Sequence, residues 1–105
     1  PFLVETGLKA YMPEDEFLML CNRSSNPFKK GLVMANSIGI IDADYYGNRD
    51  NDGAMKFAFY NFTSEPVSIS KHERIGQAIF MKYQKADDDC SEGERSGGFG
   101  STDQK

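Results

Sequence analysis

Ile38-Gly39-Ile40-Ile41-Asp42-Ala43-Asp44-Tyr45-Tyr46-Gly47 changes character halfway along. Its first half is apolar and β-branched, the composition of a buried strand. It then runs into two carboxylates, two tyrosines and a glycine. The plainest reading is a strand followed by an acidic, solvated hairpin turn, because turns favour Asp and Gly. A strand that ends this way also presents polar chemistry beside a turn.

Working outward from that stretch, short strands and turns alternate. Upstream, Leu32-Val33-Met34 is a strand separated from Ile38 by Asn36-Ser37. Before it, Pro27 favours the first turn of a short helix, with Ser25 or Asn26 near the cap and Gly31 ending it. Glu16 to Cys21 is apolar for most of its length, short, and bounded by turn residues, so it reads as a buried strand. Pro13-Glu14-Asp15 is a turn, and Leu8 to Met12 alternates like a strand. Pro1-Phe2-Leu3-Val4 starts inside a strand, without a methionine. Downstream, Gly47 to Gly53 is a polar loop. Lys56 to Asn61 alternates, Thr63 to Pro66 is a turn, and Val67 to Ser70 alternates cleanly. Ile75 to Tyr83 is the last apolar strand. No long stretch has helical periodicity, and there is no internal repeat. The pattern predicts an all-β domain over residues 1–84, a barrel or jelly-roll with one short helix. Beyond Lys85 come an acidic run, Asp87-Asp88-Asp89, and a Gly-rich segment that cannot bury a core of its own. Residues 85–105 are therefore expected to form a mobile C-terminal arm.

Composition narrows the function classes. At 105 residues the chain is a single small domain, for which association is a reasonable expectation. A formal net charge of −4 argues against non-specific nucleic-acid binding. It leaves room for an anionic small ligand held by a few local cations. Cys21 and Cys90 are far apart, and with the lone His72 they form no zinc-ligand cluster. A reduced, intracellular protein is the simplest reading, cytoplasmic or, in a eukaryotic or viral setting, nuclear. No signal peptide or membrane span is visible. Asn22-Arg23-Ser24 and Asn61-Phe62-Thr63 match the glycosylation sequon by chance.

Four segments carry candidate chemistry. Arg23-Ser24-Ser25 ahead of a helical turn offers a guanidinium and two hydroxyls suited to phosphate oxygens; the competing reading is a capping segment with a surface Arg. Asn48 to Gly53 fits the opening of a calcium loop, but its twelfth position is Phe59 and no helices flank it. Glu73-Arg74-Ile75-Gly76-Gln77 reads as a turn with an ion pair before a strand. In Arg95-Ser96-Gly97-Gly98-Phe99-Gly100-Ser101-Thr102, the aromatic has no core to join and would pack on something external. That segment lacks the lysine of a phosphate-binding P-loop.

Taken in order, R-S-S, G-I-I-D-A-D-Y-Y-G, E-R-I-G-Q-A-I-F and R-S-G-G-F-G-S-T closely resemble the trimeric dUTPases over nearly the whole chain. The resemblance implies a β-clip jelly-roll that hydrolyses dUTP to dUMP and pyrophosphate, with Asp42 as the base that activates the attacking water. It further implies that Arg23, Ser24 and Ser25 hold phosphate oxygens and that Gln77 lies near them. The segment containing Gly39 and Ile41 would read the pyrimidine edge through its backbone, helped by Asn36. Tyr45 would pack on deoxyribose. Phe99 would stack on uracil, with Arg95, Gly100, Ser101 and Thr102 at the terminal phosphate. No residue is a direct metal ligand in this reading; Mg²⁺ would ride on the substrate phosphates. A homotrimer with shared active sites and exchanged arms is implied, without nucleic-acid or membrane partners.

The chain departs from the family pattern at three places. Asn22 stands where proline often precedes the Arg, His72 where glycine is usual, and Asp103 where glycine follows Ser-Thr. An N-terminal A-G-x-D-L-like segment is absent, so the chain is expected to be truncated and the activity of this form doubtful. Two other functions fit the same fold: a non-catalytic nucleotide-binding or regulatory relative, and a dCTP deaminase. The G-G-F-G-S-T and D-A-D-Y-Y segments favour the hydrolase.

Overall fold

Strands form where apolar runs meet turn residues, and six do so here. The computed structural model describes residues 1–87, so the expectations for Arg95, Phe99, Gly100, Ser101 and Thr102 fall outside the described residues. The strands are β1 (Phe2–Glu5), β2 (Glu16–Asn22), β3 (Leu32–Met34), β4 (Gly39–Asp42), β5 (Lys56–Asn61) and β6 (Gly76–Lys82). One helical turn, α1 (Asn26–Lys29), follows β2, and a 3-10 turn, Ala43–Tyr45, follows β4. All strand pairs are antiparallel and build two three-stranded sheets, ordered β1-β5-β3 and β4-β2-β6. The protein is all-β, as its alternating pattern predicts.

The core lies between the sheets. β2 turns Leu18 and Leu20 inward, and they meet Leu32 and Met34 of β3 and Phe57 and Phe59 of β5. Phe57 and Phe59, two residues apart on one face, stack with ring centroids 5.9 Å apart. Met12 and Met55 complete the buried set.

Three local expectations change. Leu8 to Met12 keeps its alternation, with Met12 buried and Tyr11 exposed, but forms no strand. Its backbone is tied down by the Met55 N–H to Leu8 carbonyl bond of 2.9 Å, after the chain turns at Gly7. Val67 to Ser70 likewise packs Val67 and Ile69 on the core without a ladder. Alternation reports which residues face the core, whereas a strand also needs a neighbouring backbone edge. The third change concerns the stretch after Ile41. It is not a two-strand hairpin, because β4 and β5 belong to different sheets and residues 43–55 cross between them.

Gly76 opens β6 at a crowded point. A Cβ there would run into the Phe57 ring and stand 2.8 Å from the Cys21 carbonyl oxygen. Gly76→Ala should cost about 1–3 kcal/mol, the usual range for overpacking. Urea denaturation would measure it, and an unchanged midpoint would mean that the ring yields freely.

Candidate active site

The ladder between β2 and β6 sets Asn22 opposite Gly76 and Cys21 opposite Gln77. Two segments more than fifty residues apart in sequence thereby share one end of the sheet. Arg23 leaves β2 there and donates from Nη1 to the Arg74 carbonyl at 3.4 Å. Gln77 Nε2 donates to the Asn22 carbonyl at 3.3 Å. Ser24 is exposed, and Ser25 caps α1 through its backbone, its hydroxyl making no capping bond. Pro27 in the first turn fits a helix start because its missing N–H needs no partner there.

Two asparagines hold this turn. Asn26 is 3% exposed, and its Nδ2 donates to Asn22 Oδ1 at 2.7 Å and to the Ile75 carbonyl at 2.9 Å. Asn22 Nδ2 in turn donates to the Leu32 carbonyl at 3.1 Å. One amide chain therefore links β2, α1, β3 and the approach to β6 around Arg23-Ser24-Ser25. The proline often found before the Arg could not make the Asn22 bonds. In the sequence Asn22 is visible only as a departure from the family pattern and Asn26 only as a cap candidate, because the bonds that join them depend on the fold.

A second tie lies at the C-terminal end of α1. Lys30 Nζ is 2.7 Å from Glu73 Oε2, and the Ser70 N–H donates to Glu73 Oε1 at 3.0 Å. Glu73 Oε2 is buried and accepts no well-directed hydrogen bond, so the lysine charge is what offsets its burial. The Lys30 ammonium, then the Ser70 N–H, hold the Glu73 carboxyl below its ordinary value of 4.5. His72, just before it, is exposed with a left-handed φ of 67°.

β4 occupies the other edge of β2. Gly39 lies opposite Leu20 and Asp42 opposite Phe17. Gly39 is buried and Ile41 packs on the core, so Ile41 can reach a ligand only through its backbone. Asn36 is exposed in the turn before β4. Asp42 and Tyr45 are half-buried at the far end of β4, and Asn48 and Asn51 of the next loop bond to Tyr45. From Phe17 to Asn22 is five residues of extended chain, or about 17 Å. One copy thus gathers Arg23, Ser24, Ser25 and Gln77 at one end of β2, while Asp42 and Tyr45 stand at the other.

A family model described as dUTPase matches residues 1–103. The chain belongs to the dUTPase family. It is 55% identical over 102 residues to a deoxyuridine 5'-triphosphate nucleotidohydrolase of Lactococcus lactis, covering 95% of this chain and 68% of that protein. Identity to the protein of the same name from Neisseria meningitidis serogroup A is 33%, covering 96% and 67%. The fold is similar to the crystal structure of dUTPase from Streptococcus mutans, with a TM-score of 0.80 and 48% identity over 82% of this chain and 67% of that one. No helix among the described residues is long and apolar enough to cross a membrane.

In this dUTPase-family chain, two measurements test the supports of the Arg23 turn. Asn26→Ala takes the donor from Asn22 Oδ1 and the Ile75 carbonyl, both in part-buried bonds, so it should destabilise by about 1–3 kcal/mol in all. Chemical denaturation of the variant checks this. Glu73 has a lowered folded pKa, so its contribution is complete above about pH 4.5 and fades as pH falls through the folded value. Glu73→Gln and the parent should therefore differ in thermal midpoint at neutral pH and converge in acid. A gap that does not change with pH would show that the carboxylate charge is not what holds Lys30.

Proposed function

We propose that this chain hydrolyses dUTP to dUMP and pyrophosphate, with Asp42 as the general base. Family membership and the names of its relatives support the reaction class. The observation that carries the reading is the β2–β6 register, which places a guanidinium, two serines and Gln77 around one end of the sheet. That group suits phosphate oxygens, which accept charge-assisted bonds from Arg and ordinary ones from hydroxyls and amides. Arg23 would exchange the Arg74 carbonyl for a phosphate.

In the proposed step Asp42 accepts a proton from water while the water oxygen bonds to the α-phosphorus. The bond from that phosphorus to the bridging oxygen breaks, and pyrophosphate leaves with the electron pair. The backbone around Gly39 and Ile41 would read the pyrimidine edge, aided by the Asn36 amide. Tyr45 would lie against the deoxyribose and leave no space for a 2′-hydroxyl. Arg95, Phe99, Gly100, Ser101 and Thr102 keep the roles their motif suggests, at the terminal phosphate and on the base. Among the described residues no three His, Cys, Asp or Glu side chains cluster as metal ligands. A Mg²⁺ carried by the triphosphate would need few protein ligands and would neutralise phosphate charge. A dUTP substrate also fits an intracellular location.

We assign Asp42 and Arg23 of one working site to different copies of the chain, in a homotrimer with shared sites and exchanged arms. The separation of about 17 Å along β2 supports this. So does the outer face of the β4-β2-β6 sheet, where Ile40 and Ile79 are half-exposed and flank Met19 in register. Such a face gains by burial against another copy.

Asp42→Asn should lower turnover by roughly two to four orders of magnitude while dUTP binding persists. Pyrophosphate release and calorimetric titration separate the two, and comparable turnover would remove Asp42 from the mechanism. Light scattering at micromolar concentration should give the trimer mass. A monomer that still hydrolyses dUTP would overturn the shared site.

A further inference from the structure

The loop from Gly47 to Gly53 could have been a plain crossover, yet it folds back onto Tyr45. Gly47, Asp52 and Gly53 all take left-handed φ values, of 73°, 57° and 81°. The Asn48 N–H donates to the Tyr45 carbonyl at 3.0 Å, and Asn48 is only 4% exposed. A Cβ on Gly53 would stand 2.7 Å from the same carbonyl oxygen, so glycine is required for this approach. Asn51 uses both ends of its amide. Its Oδ1 accepts the Gly53 N–H at 3.0 Å, and its Nδ2 donates to the Tyr45 hydroxyl at 2.6 Å. The loop is also braced from outside. Lys9 pairs with Asp52 at 2.6 Å and lies over the Tyr46 ring, 4.8 Å from its centroid.

We propose that Asn51 is a positioning residue that sets sugar selectivity by fixing the Tyr45 ring. The proposal rests on the reading above in which Tyr45 packs on deoxyribose. Excluding a single hydroxyl requires a ring that cannot tilt aside. A tyrosine held only at its backbone can still turn about its side-chain torsions. The bond from Asn51 fixes the far end of the ring, and the loop's own bonds fix Asn51. Discrimination against UTP should therefore depend on a residue that need not touch the nucleotide.

The test compares kcat/KM for dUTP and for UTP in the intact protein. Asn51→Ala and Tyr45→Phe each remove the same bond, from opposite sides. Each should lower the dUTP-to-UTP ratio by roughly three- to tenfold, the effect of one neutral hydrogen bond. The double variant should be no worse than either single one, since the two changes act through one contact. If Asn51→Ala does not fold, Tyr45→Phe decides by itself, and an unchanged ratio overturns the proposal. Equal losses for both nucleotides would also overturn it, because they would mark Asn51 as a fold support alone. Tyr45→Ala separates this from the underlying reading. If that variant keeps the parent ratio, Tyr45 does not sense the sugar and both ideas fall. If it loses selectivity while Asn51→Ala and Tyr45→Phe do not, only the role of Asn51 falls.

Discussion

β2 is hydrogen-bonded along both edges, and the positions of all the candidate motifs within the described residues follow from that. One edge takes β6 in a seven-residue register, and the other takes four residues of β4. A slip of one residue on either edge would turn every side chain of the slipped strand to the opposite face. Leu18 and Leu20 guard against this, because their inward direction is fixed by contact with Leu32, Phe57 and Phe59. The register that seats the core also seats Arg23 beside Arg74 and Gln77. Core packing and the placement of these candidate residues share one constraint here, which makes the ladder costly to alter.

Much of this was legible in the sequence. Short apolar or alternating runs bounded by turn residues marked the six strands of the described residues, and Pro27 marked the helical turn. The segments at 8–12 and 67–70 misled because their alternation is a burial signal, and burial does not guarantee a partner edge. The stretch beyond Ile41 misled because sequence shows that a chain turns, but not which sheet it joins next. Among the candidate site residues, Arg23, Gln77 and Asp42 stand out because charge or the family resemblance marks them. Their separation along β2 does not, since distance depends on strand register and register is a property of pairs.

The side chains whose bonding is least visible in the sequence are mostly asparagines. Asn22, Asn26, Asn48 and Asn51 look like loop filler by composition. In the fold each supplies an amide where a turn would otherwise leave backbone or side-chain groups without partners. An amide carries a donor and an acceptor on one short stem, so it can join two segments without bringing in charge. Neutral ties suit this location. They help to hold the Arg23 turn and the Tyr45 loop in shape without adding to the local charge. The charged ties, Lys30 with Glu73 at the C-terminal end of α1 and Lys9 with Asp52 on the Tyr45 loop, each largely cancel their own charge.

β6 lies at the border of its sheet among the described residues, and its middle reads Ala-Ile-Phe-Met. Ile79, Phe80 and Met81 are each at least 40% exposed in a single copy. An open border of this length and apolarity is a template for adding further strands, the first step toward insoluble aggregates. If the proposed association of copies buries that border, it would protect solubility as well. Dilution, or a lesion at the contact between copies, would then expose a sticky surface. Yield and shelf life would follow protein concentration even where the fold of each subunit is intact.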